Sequence, residues 1–260
     1  MLFSACTQTP LKDINPKYNF FETIELNVEE LIFDFKESNT GDFIENESEE
    51  KLPKSLNELL DLLIDNKEAY LHAQIINNVY IIAFKPGEIK SSFDIEIPEM
   101  RLWDLDDPFL YQVEAKLGDD LVHSYFGMRK ISVMNLPGTE FPYVALNNKP
   151  IYLQIALDQS YHPDGFYTFP SDNFMKEEIL RSKSIGLNGI RVHIKVEIPR
   201  KLYWADKLGL LVVEDLPNSW GEPDKFMRDE SEYTLKEMIK RDYNHPSIFS
   251  WVLFNEQWGL

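Results

Sequence analysis

Cysteine is nearly absent: Cys6 is the only one in 260 residues. An internal disulfide is therefore excluded, and so is a metal site built from several thiolates. Long apolar runs are lacking as well. No stretch of about 18 apolar residues occurs, so no segment reads as a transmembrane helix. Positive charge is scarce, with 26 Lys and Arg against 44 Asp and Glu and a net charge of −18. A surface of that sign repels phosphate backbones and anionic headgroups, which sets aside nucleic acid and anionic membrane as partners. No His, Asp or Glu cluster has metal-ligand spacing and no glycine-rich loop is placed to cradle phosphate, so neither metal nor cofactor is expected.

The surroundings of Cys6, Leu2-Phe3-Ser4-Ala5 before it and Thr7-Gln8-Thr9-Pro10 after it, resemble the end of a bacterial lipoprotein signal with a polar tether. Two locations stay open: cell envelope or periplasm if Cys6 is lipidated, cytoplasm if it is an ordinary thiol.

Residues 1–15 read as a tail or linker. From 16 to 138 the chain shows short β-rich runs, among them Ile24–Val28, Tyr80–Phe84, Phe109–Ala115 and Phe126–Val133, separated by turns such as Lys85-Pro86-Gly87 and Asp107-Pro108. Alternation of this kind suits an antiparallel β-sandwich with one face of each strand buried. An acidic insertion over 40–67 interrupts it, carrying Asp42, Glu45, Glu47, Glu49 and Glu50 and then a helical stripe of Leu56, Leu59, Leu60 and Leu63. The aromatics Trp103 and Phe109-Leu110-Tyr111 read as sandwich core.

After the hairpin-like Asn147-Asn148-Lys149-Pro150 the rhythm becomes strand–helix alternation across 139–260. The expected strands are Ile151–Leu157, Gly189–Ile194, Leu210–Val213 and the apolar run before Asn255-Glu256. Ser171 caps the first intervening helix, with Gly186 just past its end. Pro199 opens the second, which ends near Leu208-Gly209. Leu235, Met238 and Ile239 stripe the third. Four such units imply a parallel sheet with right-handed crossovers. A closed (β/α)₈ barrel takes about 250 residues and about 110 follow Pro150, so these units read as the first half of a TIM (β/α)₈ barrel. An apolar run reaching its edge four residues before Leu260 leads to the expectation of a fragment of a longer gene product.

The string Asn244-His245-Pro246-Ser247…Trp251…Asn255-Glu256 resembles the acid/base motif of glycoside hydrolase family 2, which includes β-galactosidases, β-glucuronidases and β-mannosidases. Leu157-Asp158-Gln159-Ser160-Tyr161…Asp164-Gly165 is similar to the first barrel loop of one branch of that family. Gly186–Arg191…His193…Lys195-Val196-Glu197…Pro199-Arg200…Tyr203–Leu210 is similar to its second strand and helix. Upstream, Leu102-Trp103…Asp107–Tyr111 and Phe126–Ile131 resemble its immunoglobulin-like domain. The resemblance thus implies an immunoglobulin-like β-sandwich followed by about four β/α units of the barrel.

It also implies a retaining glycosidase that removes a terminal β-linked sugar from an oligosaccharide or glycoconjugate through two carboxylates. Glu256 matches the acid/base, a role that calls for apolar walls, with Trp251 and Trp258 as candidates. Asn255 matches the residue bonded to the sugar 2-hydroxyl, and Arg191 the arginine that orients the nucleophile. Asp158 is a candidate for sugar hydroxyls. Taken alone, Asn255 reads as a strand-end cap, a reading that the neighbouring Glu256 reverses, whereas Asp158 reads equally as a loop cap and Arg191 equally as half of a structural ion pair.

His193 lies two residues after Arg191, where several branches have a histidine three after, so substrate contact is not assigned to it. His245 reads as a structural hydrogen-bonder. The nucleophile of the family belongs near the seventh barrel strand and is expected outside this chain. Asp215, ending the third strand, comes too early for it. Oligomerisation is left open. The rival reading is a non-catalytic carbohydrate-binding or interaction module in which the half-barrel is a relic.

Overall fold

The computed structural model describes residues 20–27, 69–75, 78–84, 90–97, 99–117, 120–218 and 224–256. Cys6 with the tail 1–15, the acidic insertion 40–67, the Lys85-Pro86-Gly87 turn and Trp258 lie outside them. The chain divides into two units, one within residues 14–100 and 111–126, the other within 101–110 and 127–260.

The first unit is antiparallel. Its described strands are β1 (Phe20–Asn27), β2 (Ala69–Ile75), β3 (Asn78–Phe84), β4 (Lys90–Ile97), β5 (Tyr111–Leu117) and β6 (Asp120–Phe126). β1 pairs with β4, and the others order β3-β2-β5-β6. In β5, Tyr111, Val113 and Ala115 are buried while Gln112 is exposed, the alternation a half-buried strand requires. Tyr111 and Phe126 are register partners and stack at 5.0 Å.

The second unit begins with β7 (Ile131–Asn135), β8 (Pro142–Leu146) and β9 (Lys149–Pro150), an antiparallel meander. Asn147 and Asn148 take φ of 51° and 62°, as the two-residue turn between β8 and β9 demands. Residues 127–138, grouped with the sandwich by their sequence, belong to this unit.

Trp103 corrects the sequence reading in the same way. It is completely buried, yet in the second unit, with its indole N–H donating to the Asp206 carbonyl at 2.7 Å. A buried indole N–H needs an acceptor, and the last turn of a helix offers carbonyls without intrahelical partners. Leu110 also lies in the second unit, whereas Tyr111 lies in the first.

Four parallel strands follow in sequence order: β10 (Ile155–Asp158), β11 (Gly189–Val192), β12 (Leu211–Asp215) and β13 (Ile248–Val252). The first begins later than its apolar run suggests, because Lys149-Pro150 pair back with β8 and Ile151 N–H bonds Val144 O at 2.9 Å. Between the strands run α1 (Asp172–Ser184), α2 (Pro199–Leu208) and α3 (Lys225–Asp242). Ser171 caps α1 by accepting from Phe174 N–H, and Asp224 caps α3 by accepting from Met227 N–H. Pro199 opens α2 and Gly209 closes it at φ 74°.

The core lies between helices and sheet, where Ile179, Leu202 and Ala205 meet Ile190, Val192, Val212 and Ile248. Trp251 packs against this cluster, so the strand's alternation sends it to the helix side. It therefore cannot wall the carboxyl of Glu256 as the sequence suggests.

Candidate active site at the C-terminal strand ends

Because Ile190 and Val192 face the helices, Arg191 between them faces the opposite side. Asp215 ends β12 two residues beyond Val213, the register partner of Arg191, so both side chains lie on that face. The Arg191 Nε–H lies 3.0 Å from each Asp215 oxygen, and Nη2 donates to Oδ2 at 2.7 Å. Nη2 also donates to Asn255 Oδ1 at 3.1 Å. Three neighbouring strands thus deliver one cluster.

Asp215 is buried and Asn255 nearly so, while Arg191 keeps 31% of its side chain exposed. The hydrogen bonds that Arg191 donates to Asp215 hold the guanidinium above its ordinary pKa against burial, and the Asp215 and Glu256 charges add to this. Glu256 follows Asn255 directly, is exposed, and has φ 52°.

Ile194 is also left-handed, with φ 46°, and its N–H reaches Asp215 Oδ2 at 3.3 Å. For a β-branched residue this backbone costs about 1–2 kcal/mol. It bends the loop leaving β11 around the Asp215 carboxylate.

Asp158 stands apart from this cluster. Its register partner is Val192, a core residue on the helix side, and its Oδ2 accepts from Lys201 Nζ at 2.7 Å. Its Oδ1 accepts from Ser160 N–H at 2.7 Å. Lys201, buried in α2, also lies 3.3 Å from Glu178 and 3.5 Å from Glu197. Burial works against its charge, but Glu197, Asp158 and Glu178 outweigh it and raise the pKa.

Lys195 Nζ, likewise buried, donates to Ser160 O at 2.5 Å and sits 3.4 Å from Glu197. The rings of Tyr161, Tyr167 and Phe169 pack about it. This network pins the loop after β10 to the loop after β11. Sequence reasoning missed Ser160, Lys195, Glu197 and Lys201 as a group, since charged residues usually lie outside. The four-residue spacing of Glu197 and Lys201 was the one local signal.

The two histidines part company. Exposed His193 Nδ1 meets Gln159 Nε2 at 2.9 Å, whereas His245 Nδ1 meets buried Asp206 at 2.5 Å. Burial alone would lower the His245 pKa, but the Asp206 charge and hydrogen bond raise it. Asp206 Oδ1 also accepts from Ser247 N–H at 2.9 Å, which ties the turn before β13 to α2.

Among known families, the one described as Glycosyl hydrolases family 2 matches residues 22–129. A β-galactosidase of Thermoanaerobacterium thermosulfurigenes is 30% identical over 185 residues, covering 69% of this chain and 25% of that protein. The chain belongs to glycosyl hydrolases family 2. A second relative, a β-glucuronidase of Streptococcus agalactiae, is 27% identical over 193 residues, covering 65% of this chain and 31% of that protein. Among solved structures, apo β-glucuronidase 3 of Bacteroides uniformis superposes with TM-score 0.62 at 26% identity, covering 74% of this chain and 25% of that one. The chain spans 25% to 31% of the length of these relatives.

Proposed function

We propose that this chain supplies the acid/base half of a retaining β-glycosidase site. Its substrate class is a terminal β-linked sugar on an oligosaccharide or glycoconjugate. The observation that carries this reading is the convergence of Arg191 and Asn255 beside Glu256 at the C-terminal ends of β11 and β13. Parallel α/β folds place their chemistry at that end of the sheet.

Glu256 protonates the departing oxygen and later takes the proton of the attacking water. Asn255 bonds the sugar 2-hydroxyl, and Arg191, its side chain partly exposed, presents its guanidinium to the second carboxylate. Asp158 holds the first loop in place through Lys201 and Ser160, apart from the Arg191–Asn255 cluster. No residue of this chain is assigned as nucleophile. Asp215 is unsuited, because its oxygens already accept three contacts from Arg191.

The antiparallel strands of the first unit support an immunoglobulin-like sandwich. The four parallel strands in sequence order with three helices between them, and Leu157 54% exposed, support the first half of a (β/α)₈ barrel.

The test is the stereochemistry of hydrolysis by the full gene product. Proton NMR of an aryl β-glycoside digest should show the β-anomer first, with the α-anomer appearing only by mutarotation. An initial α-anomer would overturn double displacement, and no hydrolysis of galactoside, glucuronide, mannoside or glucoside would overturn the glycosidase reading.

A further inference from the structure

Asp215 takes no part in the chemistry proposed above, yet it is the most heavily bonded carboxylate at the strand ends. A buried carboxylate has to be paired and its remaining lone pairs satisfied, which scattered donors could do. Asp215 instead gathers the Arg191 fork at 2.7–3.0 Å and the Ile194 N–H at 3.3 Å. The backbone of Ile194 adopts an unfavourable left-handed conformation to make that contact. The arrangement holds the guanidinium in one orientation.

That orientation has a consequence at Asn255. Arg191 Nη2 donates to the side-chain oxygen of Asn255 at 3.1 Å. A guanidinium has donors only, so the amide atom facing it must be the oxygen. The two N–H groups of Nδ2 are therefore turned away from Arg191.

We infer that Asp215 is a positioning residue: through Arg191 it sets the Asn255 amide so that Nδ2 donates to the oxygen at the sugar 2-position. The inference rests on the reading of Asn255 as a sugar-binding residue. It deepens that reading by naming the buried residue that fixes which way the amide points.

A double-mutant cycle in the full gene product tests this, using a pair of aryl β-glycosides that differ only in carrying hydroxyl or hydrogen at C2. Asp215→Asn should lower kcat/KM for the 2-hydroxy substrate by about tenfold or more, and for the 2-deoxy substrate by less than about threefold. In an Asn255→Ala background, Asp215→Asn should cost less than about threefold on either substrate. Equal losses on both substrates, or the full loss persisting without Asn255, would overturn the inference.

A second readout does not depend on turnover. In ¹H–¹⁵N spectra of this chain, Asp215→Glu and Asp215→Asn should shift the Arg191 Nε–H and Asn255 Nδ2 signals and speed their exchange with solvent. Unchanged signals would sink the positioning role even if activity falls. If the full gene product hydrolyses no β-glycoside while the spectra change as expected, the functional reading fails and the hold of Asp215 on the amide survives.

Discussion

Glu214, in the fully buried strand β12, neighbours a second buried carboxylate, Asp242, the last residue of α3. Glu214 Oε1 accepts from Glu197 N–H at 2.9 Å, but Oε2 meets no donor while both carboxyls are ionised. A proton held by Glu214 removes the like-charge repulsion with Asp242. Burial, and then the charge of Asp242, push the Glu214 carboxyl up to about 8. Burial likewise raises Asp242, although Arg241 opposes this.

A pH dependence of stability follows from that pair. A group whose folded pKa is raised favours folding most below its unfolded value and loses that contribution as pH climbs through the folded one. For Glu214 the window runs from about 4.5 to about 8. His245, also raised, acts in the same direction above its ordinary value. Urea unfolding should thus show stability falling between pH 5 and 8. Glu214→Gln keeps the Oε1 acceptor and gives Asp242 a donor. It should be more stable than the unmutated chain at pH 8 by ~2 kcal/mol and within about 1 kcal/mol of it at pH 5.

Two left-handed glycines separate conformational from steric cost. A Cβ on Gly209 would lie 2.3 Å from Leu105 O, whereas one on Gly186 would meet nothing within 4 Å. Gly186→Ala should cost about 1 kcal/mol for the backbone alone. Gly209→Ala adds a backbone clash and should cost about 2–4 kcal/mol. Equal melting temperatures for the two variants would contradict this packing of α2 on the 101–110 segment.

Arg129 anchors the first turn of the strand that leads to Asn255. Its Nε–H donates to Pro246 O at 2.8 Å and its Nη2 to Ile248 O. Arg129→Met should lose about 2 kcal/mol, since each bond involves a charged donor. Amides 248–252 should exchange faster than those of β11, and uniform exchange across the sheet would speak against a local anchor.

How legible this was in the sequence depended on the range of each interaction. α2 was readable to the residue, because Pro199 and Gly209 act through their own backbone. Ser171 declared the start of α1 for the same reason. Arg191, Asn255 and Glu256 could be named from their motifs. The meeting of Arg191 with Asp215 and Asn255 could not, since it depends on the register of three parallel strands, and Arg191 and Asp215 are 24 residues apart. The partner of Trp103 lies 103 residues away, beyond any local pattern. Trp251 was misread because Ile248 and Phe249 do not alternate evenly: the register of β13 shifts between Val212 and Val213.

The acid/base role of Glu256 is tested most directly by leaving-group dependence in the full gene product. Glu256→Gln should slow glycosylation strongly for substrates with poor leaving groups, which need a proton on the departing oxygen, and far less for activated aryl groups. Deglycosylation should slow for both, because the base toward water is gone. Azide, which needs no base, should restore turnover of the activated substrate and yield a β-glycosyl azide. Equal losses for good and poor leaving groups, with no azide rescue, would contradict the assignment of Glu256.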